Sequence, residues 1–382
     1  VFFDWIRKTN IKVDKNPSPG GLTKGSRRLQ PRGRQVLSSA RDDVRGLMGD
    51  RERRRDLLLE YLHLLQDHYG CLFIDHLVAL AEEMGLSQSE VYEVATFYAH
   101  FDVVGDGDAV PPAVTVRVCD SVTCALFGGD GLLKDLGAKG FENVRVIRAP
   151  CMGRCECAPV AEIGQYQVDH ATVPSVEYAI TEGLRSPRIP EYLRFENYEL
   201  VSGYKVLREC ISGIRGSESV ITEIEDSVLR GLGGAGFVAG RKWRLVCETE
   251  KPLLVVNADE GEPGTFKDRF ILETNPHRFL EGMLVAAWAV RATDIYIYLR
   301  DEYPGARTIL KRELEVLGAK GLIDGINIFL KGVLSLIFPL KTEFINEPPL
   351  TTRLEFFVSL YKNESIWLKI SSVTNCIAPA IS

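Results

Sequence analysis

The sequence predicts a multidomain α/β protein, with an N-terminal helical bundle followed by two α/β domains in series. Three observations carry that expectation. Apolar residues recur at helical spacing between about 36 and 104, the pattern switches to period two at Val114, and strand and helix patterns alternate again from about 195. At 382 residues, 45% of them hydrophobic, the chain is long enough to bury two or three separate cores.

Residues 1–35 read as a disordered arm. Lys8 to Arg34 is basic and rich in Gly and Pro, and Asp4 and Asp14 interrupt any transit-like amphipathic pattern. The helical bundle spans 36–105. One helix opens in the charged run Arg51, Arg53, Arg54, Arg55 and carries Leu57, Leu58, Tyr61, Leu62 and Leu65 on one face; a second pattern runs from Leu72 to Met84. Ser87 and Glu90 are spaced as a capping box before Val91, Val94 and Phe97. Gly105 to Pro112 is linker chemistry.

The first α/β domain covers 112–185. Val114, Val116 and Val118 alternate along a strand ending at Cys119, and a second strand, Val144 to Ile147, ends just before Cys151. The helical stretch around Leu132 to Leu136 supplies a crossover between them. Ser186, Pro187 and Pro190 mark the next linker. The second α/β domain, 195–332, reads as helix Ile221 to Val228, a glycine-dense loop, strand Leu253 to Val256, an acidic loop, a helix capped by Asn275 with Pro276 at its first position, and strand Ile295 to Leu299. From Val333 to Ser382 the sequence turns Leu-, Ile- and Phe-rich and reads as an unrelated or aberrant tail.

A net charge of −6 and a pI near 5.7 leave no basic footprint for DNA or RNA, because neutralising phosphates requires clustered Lys and Arg. No run of about 18 apolar residues is present, so membrane insertion is not expected and a cytoplasmic location is. Five of the nine cysteines crowd into 119–157, which signals a site instead of a disulfide framework.

Cys119 and Cys124 enclose four residues, Cys151 and Cys155 enclose three, and each pair leaves a strand end. Four thiolates on two such loops can wrap a [2Fe-2S] cluster. Zinc also takes four thiolates but favours tighter pairs, so it stays open as the alternative. Cys157 reads as an extra packing thiol.

Gly231, Gly233 and Gly236 satisfy G-x-G-x-x-G, yet a helical pattern precedes them where a dinucleotide fold requires a strand. The loop from Gly231 through Gly234 and Gly236 to Phe237, with Lys242 and Trp243 downstream, reads better as a phosphate cradle. The segment Asn257-Ala258-Asp259-Glu260-Gly261-Glu262-Pro263-Gly264 places three carboxylates beside it, suited to sugar hydroxyls or a carboxamide; it lacks the alternation of a calcium loop. A solvated acidic turn is the plainer alternative.

These motifs resemble a known family. The run Val91-Tyr92-Glu93-Val94-Ala95-Thr96-Phe97-Tyr98, the two cysteine pairs and Gly153-Arg154-Cys155-Glu156 followed by Ala158-Pro159-Val160 are similar to the 24 kDa-type [2Fe-2S] subunit of respiratory NADH dehydrogenase. The glycine loop and Asn257 to Arg269 resemble its FMN-binding 51 kDa-type subunit. Both in one chain resemble the beta subunit of soluble NAD-dependent formate dehydrogenase, and also the diaphorase subunit of NAD-reducing hydrogenase. Pro31-Arg32-Gly33-Arg34-Gln35 and Val168-Asp169-His170-Ala171-Thr172 favour the formate enzyme.

The resemblance implies a thioredoxin-like [2Fe-2S] domain and a partial FMN/NADH-binding domain. It further implies a heterooligomer with a molybdenum- or tungsten-containing catalytic subunit and other iron–sulfur subunits, in which electrons reach NAD+ as hydride. Within it, Gly231, Gly233, Gly234, Gly236 and Lys242 would hold FMN, with Asn257, Asp259 and Glu260 on its ribityl phosphate side. Phe237 and Glu262 would meet NAD(H), and Lys242 would stabilise the anionic reduced flavin. The sequence departs from the family at Leu232, where Arg is usual, and at Val238, where Pro is common. The family's later glutamate loop, Asn-Asn motif and C-x-x-C-x-x-C ligands for a [4Fe-4S] cluster do not follow Gly332. A truncated chain with weak or absent diaphorase activity on its own is therefore the expectation. A non-catalytic zinc-binding assembly module is the reading from a different class.

Overall fold

The computed structural model describes residues 34–105, 107–231, 236–332 and 365–369. Most of the expected arm and tail, and Gly233 and Gly234 of the glycine loop, lie outside the described residues.

Helices α1 (Arg34–Met48), α2 (Leu58–Tyr69), α3 (Ile74–Met84) and α4 (Gln88–Phe97) build the bundle. Leu58, Tyr61, Leu62 and Leu65 are all buried, as their spacing requires, and Gly70 and Gly85 end α2 and α3 in the left-handed conformation that stops a helix. The capping box is half made. Ser87 Oγ accepts from the Glu90 amide at 3.2 Å, while the Glu90 carboxylate pairs with Arg55 at 2.6 Å. A two-residue parallel pair, β1 (Leu72–Phe73) with β2 (Val103–Val104), fastens the end of the bundle to the junction of α2 and α3.

In the middle unit come β3 (Val114–Cys119), α5 (Val122–Leu126), α6 (Gly129–Lys139), β4 (Val144–Ala149), β5 (Ala161–Ile163), β6 (Tyr166–Val168) and α7 (Val173–Thr181). The sheet order is β4-β3-β5-β6, with β3 and β4 parallel through the α5–α6 crossover and the others antiparallel. Val116, Val118, Leu136, Ile163 and Val176 form its core. Arg145 on β4 pairs with Asp102 of the bundle, Nη1 to Oδ1 at 2.9 Å, and holds the two units together.

The third unit contains α8 (Phe195–Leu200), α9 (Lys205–Ile211), α10 (Ser217–Asp226), α11 (Ala239–Cys247), β7 (Leu253–Ala258), α12 (Lys267–Thr274), α13 (Pro276–Val290), β8 (Asp294–Leu299), α14 (Pro304–Ala319) and β9 (Asn327–Gly332). Asn275 caps α13 through the Arg278 amide at 3.2 Å, and Pro276 is its first residue, as predicted. Strand β10 (Ser365–Lys369) lies parallel beside β7, giving the all-parallel order β10-β7-β8-β9. That segment of the tail, expected to be unrelated to the domain, thus forms an edge of its sheet. Helix α13 is buried nearly all round, with Phe279, Leu280, Met283 and Leu284 at the centre of the largest core.

Candidate metal centre and nucleotide loop

The parallel register of β3 and β4 places Cys119 directly opposite Ala149, so both cysteine loops leave the sheet at the same end. Four buried thiols converge there. Cys119 ends β3, Cys124 sits in α5, Cys151 follows β4, and Cys155 opens a single 3-10 turn, Cys155–Cys157. Cys119 hydrogen-bonds both Cys124 and Cys151, and Cys151 Sγ lies 3.5 Å from Cys155 Sγ. Two thiolates sharing a tetrahedral metal at about 2.3 Å stand roughly 3.8 Å apart, so the second pair is already spaced for a common iron or zinc. Among the described residues no group of three or more His, Cys, Asp or Glu side chains stands arranged to hold a metal ion.

Their protonation fits a site that needs a cation. The hydrogen bond from Cys119 lowers Cys124, and that same bond together with burial raises Cys119. Hydrogen bonding with Cys119 and burial push Cys151 up, and burial raises Cys155. Burial and mutual hydrogen bonding thus favour the protonated form at three of the four sulfurs, a preference that a bound metal cation would reverse. Each sulfur also receives a backbone N–H: Ser121 on Cys119, Val160 on Cys124, Gly153 on Cys151 at 3.4 Å and Gly264 on Cys155 at 3.1 Å. Gly129 is needed because a Cβ there would meet the Cys124 carbonyl oxygen at 2.8 Å.

The glycine loop follows a helix, α10, as its sequence context indicated. Its neck is an antiparallel bridge between Arg230 and Val238, closed by the Gly231 amide on the Phe237 carbonyl at 2.9 Å and the Ala239 amide on the Leu229 carbonyl at 2.7 Å. Gly236 takes a positive φ of 61° and Phe237 is half exposed. Lys242 lies in the first turn of α11, where burial lowers its pKa. Gly240 lets α11 seat on α10, since a Cβ would fall 2.5 Å from the Glu225 amide nitrogen.

The acidic loop leaves the end of β7 and separates its carboxylates by role. Asn257 Oδ1 accepts from the Asp259 amide at 2.9 Å, and burial raises Asp259. Glu260, 2% exposed, accepts from the Asp268 amide at 3.0 Å, the Arg269 amide at 3.4 Å, Lys267 Nζ at 3.0 Å and the Tyr303 hydroxyl at 3.2 Å. That carboxylate caps α12, a duty its sequence context did not reveal. Glu262 is exposed.

Contacts that sequence reasoning missed tie this loop to the cysteines. Besides the Gly264 amide on Cys155, Arg300 donates to the carbonyls of Cys151 and Glu260, each at 2.6 Å, and Arg269 Nε donates to the Gly153 carbonyl at 3.0 Å. Arg269 also pairs with Glu156, and with Glu273 at 2.7 Å. Arg269 and Arg300 stood in the sequence as charges without visible partners, because acceptors such as the Gly153 and Cys151 carbonyls are more than a hundred residues away.

Comparison with known proteins agrees with this geometry. Residues 44–183 match the family described as thioredoxin-like [2Fe-2S] ferredoxin, and residues 224–345 match the Nuo51 FMN-binding domain. The first match joins the helical bundle to the cysteine domain in one unit. An NADH-quinone oxidoreductase chain of the F type from Aquifex aeolicus is 38% identical over 150 residues, covering 39% of this chain and 34% of that protein. The alpha chain of the NAD-reducing hydrogenase HoxS of Cupriavidus necator is 30% identical over 309 residues, covering 70% of this chain and 50% of that one. The chain thus spans one third to one half of these relatives, which are oxidoreductase subunits. A crystal structure of NAD+-reducing [NiFe]-hydrogenase in the H2-reduced state shares the fold with a TM-score of 0.63 at 20% identity, over 86% of this chain and 61% of that one. The chain therefore carries a thioredoxin-like [2Fe-2S] domain followed by an FMN-binding domain.

Proposed function

We propose that this chain is the electron-transfer subunit of an NAD-linked dehydrogenase, with a [2Fe-2S] cluster on Cys119, Cys124, Cys151 and Cys155. The observation that carries the reading is the Gly264 amide on Cys155 Sγ, which puts the proposed nucleotide loop against the proposed cluster ligands. FMN, when bound, supplies the exchange between one-electron carriers and the two-electron hydride of NAD(H). The protein's share is placement. The glycine loop would cradle the FMN phosphate, Lys242 would add a positive charge, Asn257 and Asp259 would meet sugar hydroxyls, and Phe237 and Glu262, both exposed, would meet NAD(H). Glu260 holds the loop in shape through α12.

The finer reading is a soluble, cytoplasmic NAD-dependent formate dehydrogenase, whose catalytic molybdenum or tungsten subunit and other iron–sulfur subunits complete the path. It rests on the stretches 31–35 and 168–172. The diaphorase of an NAD-reducing hydrogenase is the second reading, favoured by the HoxS likeness, which runs through both domains in one chain. No helix among the described residues is long and apolar enough to cross a membrane.

Iron, acid-labile sulfide and flavin assays on purified protein, with a visible spectrum, test the redox assignment. A coloured sample holding two irons and two sulfides per chain is expected; a colourless zinc protein overturns the assignment in favour of an assembly module. The subunit that co-purifies separates formate from hydrogen.

A further inference from the structure

Three of the four N–H donors on the cysteine sulfurs come from the cysteine domain itself, namely Ser121, Val160 and Gly153. The fourth, Gly264, comes from the other domain, 109 residues along the chain from Cys155. We propose that the Gly264 amide is a positioning group that sets the reduction potential of the [2Fe-2S] centre, and so couples the centre to the nucleotide loop. The inference rests on the redox reading above.

Local sequence aims this donor. Glu262-Pro263-Gly264-Thr265 is a β-turn, closed by the Thr265 amide on the Glu262 carbonyl at 3.1 Å. Pro263 occupies its second position and Gly264, at φ +90°, its third, which is the signature of type II. Type II differs from type I by a flip of the central peptide, the one whose N–H reaches Cys155. A residue with a Cβ at position 264 favours the flipped turn, although space itself is open there, with nothing within 4 Å of an added Cβ. Glu262, the carboxylate left exposed toward NAD(H), opens the same turn, so a nucleotide that pulls on Glu262 moves the Gly264 amide.

The electrostatics give the sign. One-electron reduction takes a cluster with four thiolates from a net charge of −2 to −3, and an N–H dipole aimed at sulfur favours the more negative state. Losing the donor therefore lowers the midpoint.

The test uses the full chain reconstituted with iron and sulfide and titrated with dithionite, reading the EPR signal of the reduced cluster. Two variants remove the donor: Gly264→Ala, which favours the flipped turn, and glycolic acid at position 264, which replaces the amide by an ester and keeps the backbone free. At the wild-type midpoint both are expected to show about tenfold less reduced relative to oxidised cluster, equivalent to ~59 mV for a one-electron couple. Gly261→Ala, in the same loop, is expected to leave the midpoint in place. A full cluster signal in the ester variant with an unchanged midpoint overturns this proposal and leaves the cluster assignment intact. A wild-type chain with no cluster signal overturns the redox reading itself, and this proposal with it.

Discussion

Gly153 and Tyr303 meet across the junction of the two α/β domains with no room for another carbon: a Cβ at Gly153 would lie 2.3 Å from Tyr303 Cε1 and 2.6 Å from its hydroxyl oxygen. The ring is fixed, 1% exposed, with Arg300 5.2 Å from its centroid and its hydroxyl on Glu260. The loop that carries Cys151 and Cys155 is therefore seated against the flavin domain by shape. Gly153→Ala is expected to cost about 2–5 kcal/mol, combining overpacking of about 1–3 with a left-handed backbone penalty of about 1–2. Urea unfolding measures it. In a Tyr303→Ala background the overpacking part should vanish, and a penalty that stays the same would mean the ring is not what confines Gly153.

Glu260→Gln separates two duties. The carboxylate caps α12 through the Asp268 and Arg269 amides, where negative charge also suits the helix N-terminus. An amide side chain keeps one acceptor and turns the other into a donor facing N–H groups. The expected loss is about 1–2 kcal/mol of stability, measured by thermal unfolding of protein stripped of nucleotide. Unchanged stability with reduced flavin content would instead assign Glu260 to the nucleotide alone.

How far the sequence could be read followed from how local each cause was. Alternation at Val114, Val116 and Val118 showed β3 to the residue, and Asn275-Pro276 marked the start of α13, because one strand or one helix turn contains the whole signal. Helix α1 has no separate signature in the sequence: Arg34 and Gln35 fall in the basic stretch and the rest lies in the span of the bundle without a marked start. Strands β1 and β2 are two residues each and carry no period. The cysteine spacing picked out the four thiols that come together, but the orientation of Glu260 and the reach of Gly264, Arg269 and Arg300 depend on the packing of one domain against another. No spacing rule within a single segment encodes that packing.

Cys157 stands outside the sulfur-to-sulfur contacts. It lies two residues past Cys155, is half buried, and its sulfur sits among the charges of Asp169, Glu156, Arg154 and Arg269, whereas the sulfur-to-sulfur contacts run through the other four. Cys157→Ser should retain iron and visible absorption at the wild-type level. Cys155→Ser should lose most of both, because a hydroxyl replaces one of the four thiolate ligands. Equal losses in the two variants would make Cys157 a ligand.

A histidine pair at the domain junction sets a pH window for stability. His63 and His100 of the bundle lie with ring centroids 4.8 Å apart and planes tilted by 45°, near Asp67 and Asp102 of the bundle, Arg117 of β3, and Asp301 and Arg307 of the flavin domain. Burial and the neighbouring His100 lower His63 to about 4, and burial lowers His100 as well. Burial pushes Asp301 up, but the Arg307 guanidinium outweighs it and keeps the carboxyl below its usual range. A histidine whose folded pKa lies below its unfolded value of about 6.5 binds fewer protons in the folded state, so its contribution is full above pH 6.5 and is lost as the pH falls toward 4. Stability should therefore drop between about pH 6.5 and 4, and urea midpoints across that range should show it. His63→Phe, which keeps an aromatic ring against Phe101, should flatten that slope, leaving the part due to His100. A slope as steep in His63→Phe as in the wild type would place the sensitivity elsewhere.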